Sequence, residues 1–207
     1  MSVYKHGKKN NILSFSEIKQ KVLDTKLSTS EAAYFWLLYY CGVRKSEGYE
    51  RVAGDFKVTD THLIVDFHQR KKGGAEVPPL ELPRHWFGID KIIECVEKAQ
   101  QRKAHNKAVY TYIDRKRTRQ LRKARWVFPQ IQSTKAWEII RKVLGKGWYP
   151  HFLRLNRLTE IGERPEASIT EMKSFSGIKS LGSLQAYMGV SKKAQKKALD
   201  FMDQQMT

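Results

Sequence analysis

Four separated stretches carry residues that could act together on a phosphodiester. Residues 42–47 read GVRKSE, directly after the apolar run AAYFWLLYYC at 32–41. A cation just past a helix C-terminus is favoured by the helix dipole, so capping alone would account for Arg44. Glu47, three residues on, could pair with Arg44 and hold its planar fork ready for phosphate oxygens. A solvated turn is the plain alternative. Residues 148–162 read WYPHFLRLNRLTEIG. Pro150 suits a first helical position, which puts His151 and Arg154 three apart on one face. A helix N-terminus beside an arginine makes an anion site, and the dipole there favours a neutral His151 able to act as a base. The alternative is a surface arginine beside a packed histidine.

The other two stretches offer a proton donor and a nucleophile. HQRKKGG at 68–74 places Arg70, Lys71 and Lys72 at a turn. A lysine on a mobile tip could protonate a leaving oxygen, although most such tips are only solvated. FSGIKSLGSLQAYMGV at 175–190 puts Tyr187 late in a short helix. Most tyrosines merely pack. A phenol titrates near 10, so it needs a base or a strong positive field before it can attack.

The elements that must position these residues follow from periodicity. A helix is expected over about 15–25, with Ile18, Val22 and Leu23 on one face. A second starts at a capping box, Ser28 with Glu31, and stops at Gly42. Residues 45–52 make a short amphipathic turn or helix. HLIVDF (62–67) and EVPPLELP (76–83) are extended, and the paired glycines between them predict a hairpin. Ile92, Cys95, Val96 and Ala99 mark a helix from Asp90 onward. Further helices are expected at 134–144, 150–161, 168–175, 180–189 and 192–204. Residues 111–126 are mostly cationic with little apolar spacing, and their plain alternative is a solvated helix face. The fold class is therefore mainly α with a small antiparallel β-sheet (α+β). Residues 1–11 are expected to form a flexible basic N-terminus, 12–190 a single domain, and 191–207 a C-terminal tail helix.

Composition narrows the partners. The chain has 207 residues, 39 Lys+Arg against 21 Asp+Glu, and a net charge of +18. Such an excess repels itself in a compact chain unless a polyanion screens it, which points to nucleic acid. No strongly amphipathic Lys-rich helix argues for a membrane surface, and the longest apolar run is too short to span a bilayer. Cys41 and Cys95 read as core thiols of a reducing compartment, and cytoplasmic location is the expectation. No cluster of Cys, His and acids has metal-ligand spacing, so neither metal nor other cofactor is expected. Segment 115–125 carries seven cations among eleven residues and no acid. It is the expected surface for tracking a nucleic-acid backbone, through Arg115, Lys116, Arg117, Arg119, Arg122, Lys123 and Arg125, joined by Lys179.

Taken in order, the stretches resemble the catalytic domain of the tyrosine recombinase (phage integrase) family over roughly residues 12–190. GVRKSE looks like its first arginine box, HFLRLNRLTEIG like its His-x-x-Arg box, and FSGIKSLGSLQAY like its nucleophile box. The lysine hairpin lies between the first two. Each box is weak alone; their order is what makes them specific. The resemblance implies that Arg44 and Arg154 grip the non-bridging oxygens of the scissile phosphate and that Tyr187 attacks phosphorus. His151 would help take the tyrosine proton, Lys71 or Lys72 would protonate the departing 5′ oxygen, and Glu47 would support Arg44. It further implies double-stranded DNA as substrate and a homo-oligomer, a tetramer, on that DNA. The 191–207 tail would dock on a neighbouring subunit, and accessory DNA-bending or directionality factors would be possible partners. Two features depart from the family. Ile178 stands where His or Trp is usual, and the usual N-terminal clamp domain has no room here. The rivals are a catalytically impaired DNA-binding relative, a topoisomerase-like enzyme without site choice, and a structural RNA-binding protein.

Overall fold

The structure is a computed structural model that describes residues 12–67, 78–113, 116–162, 164, 168–176, 178 and 184. Its centre is α2 (Thr29–Cys41), whose sequence is apolar all round and which is accordingly buried all round, from Ala33 to Cys41. The Ser28–Glu31 capping box opens α2 as expected, and Gly42 closes it in the left-handed region at φ 56°. The three tyrosines of this buried helix each need a partner for the hydroxyl, and each has one. Tyr34 donates to the Lys45 carbonyl, Tyr40 to the Phe87 carbonyl and Tyr39 to the Glu160 carboxylate.

Around α2 pack α1 (Phe15–Leu23), α3 (Lys45–Tyr49), α4 (Ile89–Gln101), α5 (Ser133–Leu144), α6 (Pro150–Gly162) and α7 (Ile169–Ser176). On α1 the core face is Ile18 and Val22; Leu23, expected beside them, is 57% exposed because a five-residue step from Ile18 leaves the stripe. Asn156 of α6 is fully buried and pairs its amide with both backbone groups of Leu13, tying the start of the fold to α6. Gly88, at φ 83°, lets the chain run against the indole of Trp36; a Cβ there would lie 2.3 Å from the ring. Cys41 and Cys95 are free and buried, and burial pushes the Cys95 thiol up to about 11. No helix among the described residues is long and apolar enough to cross a membrane.

The β structure is richer than one hairpin. β2 (His62–Val65) pairs antiparallel with β3 (Leu80–Pro83) as the glycine pair predicts, but β1 (Phe56–Val58) adds a third strand on the other side of β2. The cationic stretch adds a second sheet. It forms β5 (Lys116–Ala124), paired over nine residues with β4 (His105–Ile113) in an antiparallel ribbon. The reason is the partner. KRTRQLRKA is made of helix formers, but HNKAVYTYI is rich in β-branched and aromatic residues, and cross-strand pairing overrides the weaker local preference.

The ribbon is fixed at its base. Trp126 forms an isolated antiparallel bridge with Val52, and the Ala53 N–H donates to the Arg125 carbonyl. Lys107 of β4 is buried, and its ammonium donates to the carbonyls of Tyr49, Phe128 and Ile131 at 2.7–2.8 Å. Burial pushes its pKa down to about 8, against the pull of the nearby Glu50 charge, so at pH 7 it remains an ammonium.

Candidate functional site: two arginines at the end of the central helix

The left-handed Gly42 turns the chain sharply out of α2, and Arg44 becomes the residue that opens α3. Its backbone N–H donates to Glu47 Oε2 and its Nη1 donates to Glu47 Oε1, both at 2.8 Å. Glu47 thus does two things at once: it caps the short helix and holds the Arg44 fork from behind. The Arg44 side chain is still 49% exposed, so its guanidinium can reach a ligand. Next door, Lys45 is anchored at both ends, its carbonyl by Tyr34 and its ammonium by Ser133 Oγ at 2.8 Å.

Arg154 is the fifth residue of α6 and is only 3% exposed. Its Nη1 donates to the Gly42 carbonyl at 2.5 Å and its Nη2 to the Ser176 carbonyl at 2.9 Å. One guanidinium therefore joins the end of α2 to the end of α7, elements far apart in sequence. Gly42 sits at the middle of this junction, where a Cβ would meet the Phe175 ring at 3.0 Å.

Arg44, Glu47 and Arg154 share an electrostatic neighbourhood. Burial pushes the Glu47 carboxyl up, but the Arg44 N–H, the Arg44 charge and the more distant Arg154 charge together hold it below its ordinary 4.5. The sign of the linkage is then fixed. A carboxyl with a depressed folded pKa contributes stability that is present above about 4.5 and lost as pH falls through the lower folded value. Glu47→Gln is expected to remove that part of the acid limb, so unfolding midpoints of wild type and variant converge as pH drops from 6 to 3. A gap that does not narrow would mean that Glu47 is not held ionised by the arginines.

His151, in the first turn of α6, is half-buried three residues before Arg154. Tyr187, Lys71, Lys72, Lys179 and Arg115 lie outside the described residues. Lys116 and Arg117 take backbone positions in β5; Arg119, Arg122 and Lys123 are exposed on the same strand, and Arg125 is exposed just beyond it. The basic residues are therefore brought together on a ribbon. Ile178 has a packing role: it lies against a small cluster of Ile161, Met172 and Leu184, with Phe175 beside it.

Sequence reasoning passed over Arg157 and Glu160. Arg157 is ion-paired with Glu160 at 3.3 Å, and its guanidinium stands 5.9 Å from the ring centres of both Tyr39 and Phe175. Glu160 also accepts from Tyr39 at 3.0 Å. These residues brace α2, α6 and α7 around Gly42. Their signal was present in RLNRLTE, where Arg154, Arg157 and Glu160 recur every three residues down one face.

A buried, doubly anchored arginine, a half-exposed braced arginine and a helix N-terminus bearing a histidine form a set suited to an anionic group with several oxygens.

No family model matches the chain, and no curated protein matches it. Among solved structures it is similar to the XerH site-specific recombinase bound to its difH substrate in a pre-cleavage complex, with a TM-score of 0.60 and 11% identity. The similarity covers 87% of this chain and 50% of that one, so the chain spans about half the length of that recombinase. At such identity the likeness concerns the fold. The helix-rich α+β arrangement around α2 is thus a recombinase-like fold, the class that the ordered boxes implied.

Proposed function

We propose that the chain cuts and rejoins DNA strands as a tyrosine-type site-specific recombinase. The observation that carries this reading is the bond from Arg154 to the carbonyl of Gly42, two residues before the Glu47-braced Arg44, which joins the neighbourhoods of two arginines 110 residues apart in the chain. The recombinase-like fold supports it. In the proposed reaction the Tyr187 oxygen bonds to phosphorus while the bond from phosphorus to the 5′ oxygen breaks. The tyrosine proton goes toward His151, and Lys71 or Lys72 gives a proton to the departing 5′ oxygen. The products are a 3′-phosphotyrosyl link and a free 5′-hydroxyl. The reverse attack by a 5′-hydroxyl reseals a strand without ATP, because the phosphodiester energy is kept in the covalent link.

The residue types suit that chemistry. Charge grows on the equatorial oxygens as phosphorus is attacked, and preorganised guanidiniums in a site shielded from water stabilise it strongly. Arg154 is held in place by two backbone carbonyls. Glu47 keeps Arg44 aimed rather than folded away.

The test is trapping on a duplex nicked close to the cleavage point, where loss of a short fragment prevents resealing. A covalent protein–DNA adduct is expected with wild type and none with Tyr187→Phe. Duplex binding without any adduct would instead support the catalytically impaired relative.

A further inference from the structure

We propose that the β4–β5 ribbon enters the major groove of duplex DNA and that Leu121 lies there against the C5-methyl groups of thymines. This rests on the reading of the chain as a DNA-acting protein and adds how a sequence would be read.

The register divides the ribbon into two faces. Lys107 and Val109 are buried, and they stand opposite Arg122 and Gln120. On β4 this face packs on the body of the protein, whereas Gln120 and Arg122 of β5 stay exposed. Arg122 belongs to it, with its guanidinium 5.6 Å over the Trp126 ring. The other face presents Asn106 and Ala108 of β4 with Arg119, Leu121 and Lys123 of β5. Leu121 is 68% exposed, opposite the small Ala108, with exposed Arg119 two residues before it and exposed Lys123 two residues after.

A single exposed leucine is ordinary. A leucine centred in a row of cations on a strand face is different, because the cations discourage any second copy from covering it. The partner must be anionic at its edges and apolar at its middle. The major groove answers both requirements. Phosphates line its rims, and each A·T pair offers a methyl group on its floor. The dimensions agree as well. Two nine-residue strands make a ribbon about 30 Å long, and a two-stranded ribbon fits a groove about 12 Å wide but not one about 6 Å wide. Lys107, bonded to three carbonyls, and the bridge from Trp126 to Val52 hold the base rigid, so that the outer face is presented in a fixed direction.

The predicted basic residues therefore separate into kinds. Arg119 and Lys123 flank the apolar contact and meet phosphates. Arg122, exposed on the opposite face, keeps its guanidinium over the Trp126 ring.

The experiment starts from a randomised duplex pool, from which the full chain selects its preferred sequence. That sequence is then made twice, with thymine and with deoxyuridine, which lacks only the methyl. Wild type is expected to bind the thymine form more tightly by about fourfold for each methyl touched, the weight of one buried methylene-sized group. Leu121→Ser should abolish the preference while keeping the salt dependence. The double variant Arg119→Gln with Lys123→Gln should weaken both forms alike and flatten the slope of affinity against salt. Because Leu121 is exposed, thermal unfolding of its variant should match wild type, so a lost preference reports contact and not misfolding. A chain that binds duplexes but selects no sequence, or that treats thymine and deoxyuridine alike, overturns the groove assignment and leaves the strand-cleaving reading standing. A chain that binds no duplex at all overturns both.

Discussion

Arg154→Ala is expected to lower unfolding stability by about 2–5 kcal/mol and to reduce adduct formation at least about a hundredfold. The stability loss follows from the two carbonyls that the guanidinium serves. Gly42 would keep a buried acceptor and Ser176 a part-buried one without a donor, and a buried orphan acceptor costs about 1–3 kcal/mol. The loss of activity follows from the removal of one preorganised donor at a charge-developing phosphate, for which factors of about 10²–10³ are usual. Arg154→Lys keeps the charge but cannot span both carbonyls, so most of the stability loss should persist. Arg44→Ala provides the contrast. Its side chain is half exposed and bonded to Glu47, so adduct formation should fall while stability changes by less than about 1 kcal/mol. Urea unfolding and nicked-duplex trapping measure the two quantities separately. Equal stability of the Arg154 and Arg44 variants would contradict the role of Arg154 as a tie between helices.

The second large effect is expected at Lys107. Its ammonium satisfies carbonyls from α3, from the segment after β5 and from the approach to α5, all in a buried place. Lys107→Met keeps the volume of the stem and deletes all three donors, which should destabilise the chain by about 2–5 kcal/mol even though a buried charge is removed. The ribbon should loosen first. Hydrogen exchange of the β4 and β5 amides is expected to accelerate more than that of α2, where protection follows global unfolding. Uniform acceleration across both would mean that Lys107 stabilises the core as a whole and not the ribbon's attachment.

Much of the frame was legible because it depends on local chemistry. Ser28 and Glu31 announce the start of α2, Gly42 its end, and Pro150 the start of α6, since a cap or a missing N–H acts within one turn. The same is true of Arg44 and Glu47, three residues apart. The ribbon was not legible in the same way. Whether KRTRQLRKA is helix or strand depends on what lies beside it, and the choice is made by β4. β1 is only three residues long and borrows its order from β2. The joining of Arg154 to Gly42 and Ser176 was also hidden, because the ordered boxes imply proximity without saying which backbone atoms the guanidinium would hold. Ile178 stood out in sequence as a missing polar group, whereas in the fold it is an apolar neighbour of Ile161 and Met172.

The reach of Arg154 to Ser176 also sets an order of completion. Ser176 ends α7 and immediately precedes the stretch that holds the proposed attacking phenol. During synthesis α1 to α6 leave the ribosome earlier. The latch on α2 therefore closes only after α7 has been made, and Arg154 gains its second carbonyl only once the chain has reached the segment proposed to use it.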